Sequence, residues 1–308
     1  MAYHLLRFLL RIVSRMPFSV LYALSGMLYL IAYHVVGYRR KVVHKNLTEC
    51  FPEKSDTEIT AIEKRFYRHL ADNIVETCKM GAMSKEEMGR RMHFTNIEDI
   101  NARVRQGKSI SLFLGHHGNW EWVSSMPLHL EKNAAHAQIY HKLSNKDFDR
   151  IMLENRAHFG CTNVEMRQTA RFVNKLATEN KLSIIGYIAD QAPRAKDSHY
   201  FIPFLNHMTP VLTGTEKITK HYGHDAWFVK VTKVKRGYYE AEFVHMHPDP
   251  DSLPDFELTD IYYHMLEQEI RTQPELYLWT HKRFRNAKVF PENASTNNQQ
   301  PTTNNAWT

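Results

Sequence analysis

The sequence predicts an α/β protein, with a mixed, mostly parallel sheet flanked by helices and one N-terminal hydrophobic helix. Three observations carry this. Short uncharged apolar runs such as Ser109–Leu114 and Leu182–Ile188 have the length and composition of buried strands. Segments with apolar residues at helical spacing lie between such runs, so strand and helix alternate along the chain. The stretch from Met16 to Tyr38 holds no formally charged residue, an outlier in a chain that is 24% charged.

Taken in order, the N-terminus begins with Arg7, Arg11 and Arg15, four residues apart on one helical face among leucines and phenylalanine. This is the pattern of a basic amphipathic helix at a membrane interface. The uncharged stretch that follows is long enough to cross a bilayer core, for which about 20 residues suffice. Gly26, Gly37, Ser19, Ser25 and several tyrosines weaken the case for a deep span, and a hydrophobic hairpin packed on the domain stays open. No clear cleavage site marks a signal peptide, and cations on both sides give no orientation. The expectation is membrane association, spanning or lying in the interface.

Ser55-Asp56-Thr57-Glu58 is a capping box, opening a helix with Ile59, Ile62, Phe66, Leu70 and Ile74 on one face. Ser84 to Glu87 starts a second, shorter helix in the same way. Strands are expected at Ser109–Leu114, Ala137–His141, Leu182–Ile188, Ala226–Thr232 and Tyr238–His245. Helices are expected from near Asn119 and over Lys146–Phe159, Thr169–Thr178, Val211–Tyr222 and Leu258–Arg271. Lys235-Arg236-Gly237 joins the last two strands as an antiparallel hairpin. The organisation is therefore an N-terminal membrane-associated segment (1–45), a main domain (46–288) and a polar tail (289–308) expected to be disordered.

Composition narrows the function. The 308 residues are 43% apolar, ample for a buried core. A formal charge of +7 favours an anionic partner without separating nucleic acid, membrane surface and phosphorylated substrate. No nucleic-acid-binding motif is present, and the cations cluster beside the hydrophobic N-terminus. Cys50, Cys78 and Cys161 form no paired framework, which fits a reducing, cytosol-facing environment.

Chemistry concentrates in Gly115-His116-His117-Gly118-Asn119-Trp120-Glu121, which follows an apolar strand where α/β proteins place their sites. On a continuous helix His116 and Glu121 would be about 140° apart. A turn through Gly118 instead lets Glu121 accept from one imidazole nitrogen, leaving the other as a base. A plainer reading, a polar turn with histidines bonded to backbone, stays open. A metal site of His116, His117 and Glu121 lacks a completing ligand pattern.

His116-x4-Glu121 within this stretch resembles the His-x4-Asp/Glu motif of lysophospholipid-type acyltransferases, in the version of the lipid A late acyltransferases. Other segments resemble that family in order: Tyr38-Arg39-Arg40-x4-Lys45-Asn46-Leu47-x3-Phe51-Pro52, Tyr140-x4-Asn145 with Arg156-x3-Gly160, Asp190-Gln191 with Pro203-Phe204, and Pro274-Glu275-x3-Trp279-Thr280-His281-Lys282-Arg283-Phe284. The resemblance covers roughly residues 18 to 288. It implies a glycerolipid acyltransferase-like fold and transfer of an acyl chain from acyl-acyl carrier protein to a hydroxyl of a lipid A precursor. The place would be the cytoplasmic face of a bacterial inner membrane, and no metal or organic cofactor is implied.

His116 would be the general base and Glu121 its orienting carboxylate. Arg156, Asp190, Gln191, Arg194 and Asn119 are the candidates for binding substrate. Arg156 and Arg194 would hold phosphate or polarise the thioester carbonyl, while Asp190 and Gln191 follow a strand on the same sheet edge as His116. The His281-Lys282-Arg283-Arg285 cluster is expected as a surface band meeting acidic groups. Pro203-Phe204 continues with Leu205-Asn206 where the family usually has Phe-Gly, which leaves acyl length and acceptor open. Another bacterial lipid acceptor, or hydrolysis by a His-activated water, remain as alternatives.

Overall fold

The computed structural model describes residues 2–247 and 249–288, so the tail expected to be disordered lies outside the described residues. Its centre is a seven-stranded sheet of order β1-β9-β8-β2-β5-β3-β4. The strands are β1 (Met92–Thr95), β2 (Ile110–Leu114), β3 (Ala135–Tyr140), β4 (Thr162–Glu165), β5 (Ser183–Ile188), β8 (Asp225–Lys235) and β9 (Tyr238–His247). Every neighbouring pair is parallel except β8 and β9, the hairpin the sequence predicts. Gly237 turns that hairpin at φ 72°, in the left-handed region that suits glycine. A separate hairpin, β6 (Tyr200–Phe204) and β7 (His207–Val211), lies outside the main sheet.

The fully buried runs become the inner strands because parallel strands covered on both faces need apolar residues throughout. Along β2, Leu112 and Leu114 face one way and Phe113 the other. The Phe113 face is covered by α10 (Glu257–Thr272) through Tyr262 and Leu266, and further along the sheet by Val173 of α8 (Thr169–Thr178) on Ile185 and Tyr187. On the opposite face, Leu112 and Leu114 pack with Trp122, Val123 and Met126. That cover is a 3-10 segment, Trp122–Leu128, not the α-helix expected from near Asn119. Pro127 and the serines at 124 and 125, which bond back to backbone carbonyls, are poor material for a regular helix.

On the N-terminal side, α1 (Ala2–Arg15) and α2 (Phe18–Leu30) precede α3 (Arg40–Cys50) and the long α4 (Asp56–Met80). The capping box at Ser55 and Glu58 forms as the sequence predicts, with both reciprocal contacts. Among the described residues four short α-helices complete the set: α5 (Lys85–Arg91), α6 (Ile97–Arg105), α7 (Lys146–Arg156) and α9 (Gly214–His221). Helix α2 runs on through a π-turn, Ile31–Val35, and Phe18–Val35 is long and apolar enough to cross a membrane. Leu21, Ser25, Tyr29 and Tyr33, four residues apart, are the buried stripe of this helix, whereas Val20, Met27, Leu30, Ile31 and Val35 are exposed.

Polar groups fasten that stripe to the domain. Ser25 Oγ donates to Asp72 at 2.6 Å, and Asp72 also accepts from Arg236 at 2.6 Å. One turn further along α4, Glu76 is fully buried and accepts from Tyr22 Oη (3.0 Å), Tyr239 Oη (2.9 Å) and Asn119 Nδ2 (2.8 Å). Burial, with Asp72 nearby, pushes the Glu76 carboxyl above its ordinary range. One side chain thus joins α2, β9 and the turn after β2. Replacing it with an apolar residue would strand two buried donors, Asn119 and Tyr239, at about 1–3 kcal/mol each, and the half-buried Tyr22 hydroxyl besides. Glu76→Leu is expected to lower unfolding stability by about 3 kcal/mol or more, read from urea denaturation midpoints. A loss below about 1 kcal/mol would show that the donors find other partners.

Candidate functional site

The site starts from a register. Strands β2 and β5 pair in parallel with Leu112 opposite Gly186 and Leu114 opposite Ile188. Continued two residues past both strand ends, the same offset sets His116 beside Asp190. Their contact is close: His116 Nδ1 lies 2.6 Å from Asp190 Oδ1, and the His116 backbone N–H donates to Oδ2 at 3.1 Å. The carboxylate therefore fixes both the ring and the backbone that carries it.

Burial alone would raise the Asp190 carboxyl, but the His116 imidazole, its two hydrogen bonds and the charge of Arg283 hold it below its ordinary value. An ionised carboxylate only accepts hydrogen bonds, so Nδ1 of His116 carries a proton, and in the neutral imidazole Nε2 is then the acceptor. The Gln191 amide nitrogen sits 3.3 Å from Nε2 and donates to it. Trp120 meets the imidazole edge to face, with centroids 5.3 Å apart.

This arrangement corrects the pairing expected from the sequence. Glu121 does not orient His116, because both its oxygens accept from Arg156: Nε at 2.7 Å and Nη2 at 2.6 Å. The fork fits because Arg156 ends α7, which packs beside the 119–121 turn, and guanidinium and carboxylate match bidentately. Burial disfavours the Arg156 charge, yet Glu121 outweighs it and raises the guanidinium further. Asn119 is a second correction. It was expected to touch substrate, but it is fully buried, giving Nδ2 to Glu76 and capping Trp122 N through Oδ1 at 3.2 Å.

The remaining turn residues are structural. Gly118 has φ 62°, and a Cβ there would lie 2.6 Å from Val231 Cγ1. Its carbonyl accepts from His69 Nε2 and Asn73 Nδ2 at 3.1 and 3.0 Å. His117 points away from His116 and is buried, with Nδ1 3.1 Å from the Val231 carbonyl and 3.2 Å from Glu269, and Nε2 3.0 Å from the Gln273 carbonyl. Among the described residues no three His, Cys, Asp or Glu side chains converge as a metal site.

A cavity of about 800 Å³ opens at His116. Its deep wall is apolar, from Leu112, Leu114 and Ile188 of the sheet and Val123 and Met126 of the 3-10 segment. Its outer wall carries Arg156, Gln191, Arg194, Lys196, Arg167 and Arg285. Arg194 is exposed in the loop after β5, and the structure shows its side chain only as part of this wall. The C-terminal cluster is divided: Lys282 and Arg285 are exposed, but Arg283 is 1% exposed, so it is not part of a surface band. It donates instead to the Pro210 carbonyl and Tyr263 Oη, and its charge bears on Asp190. Burial and nearby cations push His281, also on this wall, down to about 4, so its ring is neutral.

A second cavity of about 500 Å³ lies between α1, α4 and α7. It shares Trp120 and Glu121 with the first, so the two spaces meet there. Ile74, expected on the buried face of α4, is 49% exposed because it lines this second space.

Comparison with known proteins bears on these features. The family model described as bacterial lipid A biosynthesis acyltransferase matches residues 1–286. The chain is 23% identical over 280 residues to the lipid A biosynthesis lauroyltransferase of Escherichia coli (strain K12), covering 89% of this chain and 88% of that protein. It is 21% identical over 277 residues to the lipid A biosynthesis palmitoleoyltransferase of the same organism, with the same coverage of each chain. A shorter match, 30% identical over 120 residues, joins 37% of this chain to 36% of lipid A biosynthesis acyltransferase 2 of Shigella flexneri.

The His117 contacts generate a pH dependence. Burial disfavours its charge, but Glu269 and the carbonyls of Gln273 and Val231 outweigh burial and raise its pKa. A raised folded pKa gives stability that is full below the unfolded value of about 6.5 and is lost as pH climbs through the folded value. Unfolding stability is therefore expected to fall as pH rises above about 6.5, with this component absent from His117→Gln. Urea midpoints across a pH series check this, and equal slopes in both proteins would contradict it.

Proposed function

This chain belongs to the bacterial lipid A biosynthesis acyltransferase family, and from that premise we propose that it moves a fatty acyl chain from acyl-acyl carrier protein to a hydroxyl of a lipid A precursor. The observation that carries the mechanism is His116, bound through Nδ1 to buried Asp190 and facing the large cavity through its other side. The acceptor hydroxyl takes the place of the Gln191 amide at Nε2 and gives up its proton as its oxygen attacks the thioester carbonyl. Collapse of the tetrahedral intermediate breaks the carbon–sulfur bond, and the imidazolium returns the proton to the departing thiolate. Asp190 stabilises the imidazolium between these steps, a role separate from carrying the proton itself. No acyl-enzyme is needed, because the thioester is already activated.

Glu121 and Arg156 act as a unit in this reading. Two of the guanidinium nitrogens are held by Glu121, which leaves Nη1 to polarise the carbonyl or hold a phosphate. Arg194, with Arg167, Lys196 and Arg285, makes the cavity rim cationic, which suits an acidic carrier protein and a phosphorylated acceptor. The exposed Phe8, Leu9 and Ile12, interleaved with Arg7, Arg11 and Arg15, and the exposed Val20, Met27 and Leu30 support attachment to a membrane surface, and a carrier-protein donor would put it at the cytoplasmic face of the inner membrane.

The test is transfer of a labelled acyl chain from acyl-acyl carrier protein to a purified lipid A precursor. His116→Ala is expected to lose about 10²–10⁴ in rate with its fold intact, and Asp190→Asn to lose a comparable factor. Near wild-type transfer by either variant would overturn the assigned base and its partner. Release of free fatty acid with no acylated acceptor would replace the transferase reading with a hydrolase.

A further inference from the structure

We infer that Gly186 sets the length of the acyl chain that the deep end of the large cavity accepts. The inference rests on the proposed acyl transfer and adds the site that measures the chain. Gly186 lies in the middle of β5, a strand buried along most of its length, where glycine costs about 0.5–1 kcal/mol relative to alanine. Its neighbours do not require it. A Cβ built there would meet nothing closer than the Ala137 carbonyl and Met126 Cε, both at 3.9 Å, and its φ is outside the left-handed region. The side chain is absent where the cavity needs the space, since Gly186 lines that cavity.

The surroundings specify the ligand's chemistry. Gly186 pairs with Leu112 of β2, four residues before His116 and on the same face of the sheet. At about 3.3 Å per residue, the wall from His116 to this row runs about 13 Å. Leu114, Ile188, Val123 and Met126 line the interval, and its two polar members, Ser124 and Gln138 (paired with Gly186 from β3), already donate to the Glu121 carbonyl and to Asn163, so the space suits a linear, apolar ligand. A cavity in an apolar core is destabilising in proportion to its volume, and an alkyl chain offsets that cost by filling it. The proposed base lines the same space as Leu112 and Gly186, so a chain continuing from a carbonyl held at His116 can run along it. The donor's chain meets that condition.

The test offers the enzyme an equimolar mixture of saturated acyl-acyl carrier proteins of graded length and reads the product distribution by mass spectrometry. Gly186→Ala and Gly186→Leu are expected to shift the product toward shorter chains, the leucine further. The kcat/KM ratio of long to short donors should fall about tenfold or more in Gly186→Leu, since one methylene is worth at least that in a tight pocket. Gly186→Ala should not be less stable than wild type, which separates a length effect from damage to the strand and carries the test if the leucine variant does not fold. A distribution unchanged in a folded variant overturns the proposal, as does a shift seen only when the acceptor's chains are varied. Thermal stabilisation by free saturated fatty acids of graded length reads the same site without turnover. An optimum that moves to shorter acids in Gly186→Leu, in a protein that transfers nothing, would refute the reaction and keep the alkyl site, whereas an unmoved optimum refutes the site.

Discussion

The parallel pairing of β2 with β5 is the constraint on which the rest of the site depends. With Leu114 opposite Ile188, residues 74 apart in the chain come to the same height, and His116 stands beside Asp190. A slip of one residue would turn every side chain of one strand to the other face. It would carry either Leu112 or Gly186 away from the cavity and separate His116 from Asp190 at the same time. The register is secured because both faces of the pair are buried, by Trp122 and Met126 on one side and by α10 and α8 on the other.

Around that pair, the turn after β2 is held from outside itself. Gly118 lies where Val231 leaves no room for a Cβ and gives its carbonyl to His69 and Asn73, His117 is bound to Glu269 and two carbonyls, and Asn119 is bound to Glu76. His116 and Trp120 are the turn residues left to face the cavity, with Glu121 joining them through Arg156. Because Glu76 also accepts from Tyr22, the apolar helix that bears the exposed Val20, Met27 and Leu30 is tied by one carboxylate to the turn that carries the proposed base. Buried polar networks of this kind, when fully partnered, rigidify the groups they hold.

Much of this architecture is legible in the sequence, for identifiable reasons. Thr169–Thr178 and the helix at Glu257–Thr272 stand out because one face of each is apolar at helical period, and β2, β5, β8 and β9 because they are uninterrupted or alternating apolar runs. Four short strands, β1, β4, β6 and β7, are less visible. They have four or five residues each, and Tyr200–Phe204 and His207–Val211 each contain a proline, which argues against a strand unless it lies at an edge. In the site, spacing favoured Glu121 as the partner of His116 because the two are close in the chain. Asp190 could be placed on the same sheet edge, since both Leu114 and Ile188 are followed two residues later by a polar group. What the sequence does not carry is the strand offset, which only packing of the two sheet faces fixes. Arg283 is a related case, since a run of cations does not reveal which member turns inward.

The central claim is that Asp190 holds His116 with its proton on Nδ1, leaving Nε2 to act. Nitrogen-15 NMR of histidine-labelled protein, with the His116 signals assigned by His116→Gln, reads that proton directly. A protonated Nδ1 and an unprotonated Nε2 near neutral pH, with the preference lost in Asp190→Asn, is the result this account requires. A proton on Nε2 in the wild-type protein, or a tautomer indifferent to Asp190 and altered by Glu121→Gln, would contradict it.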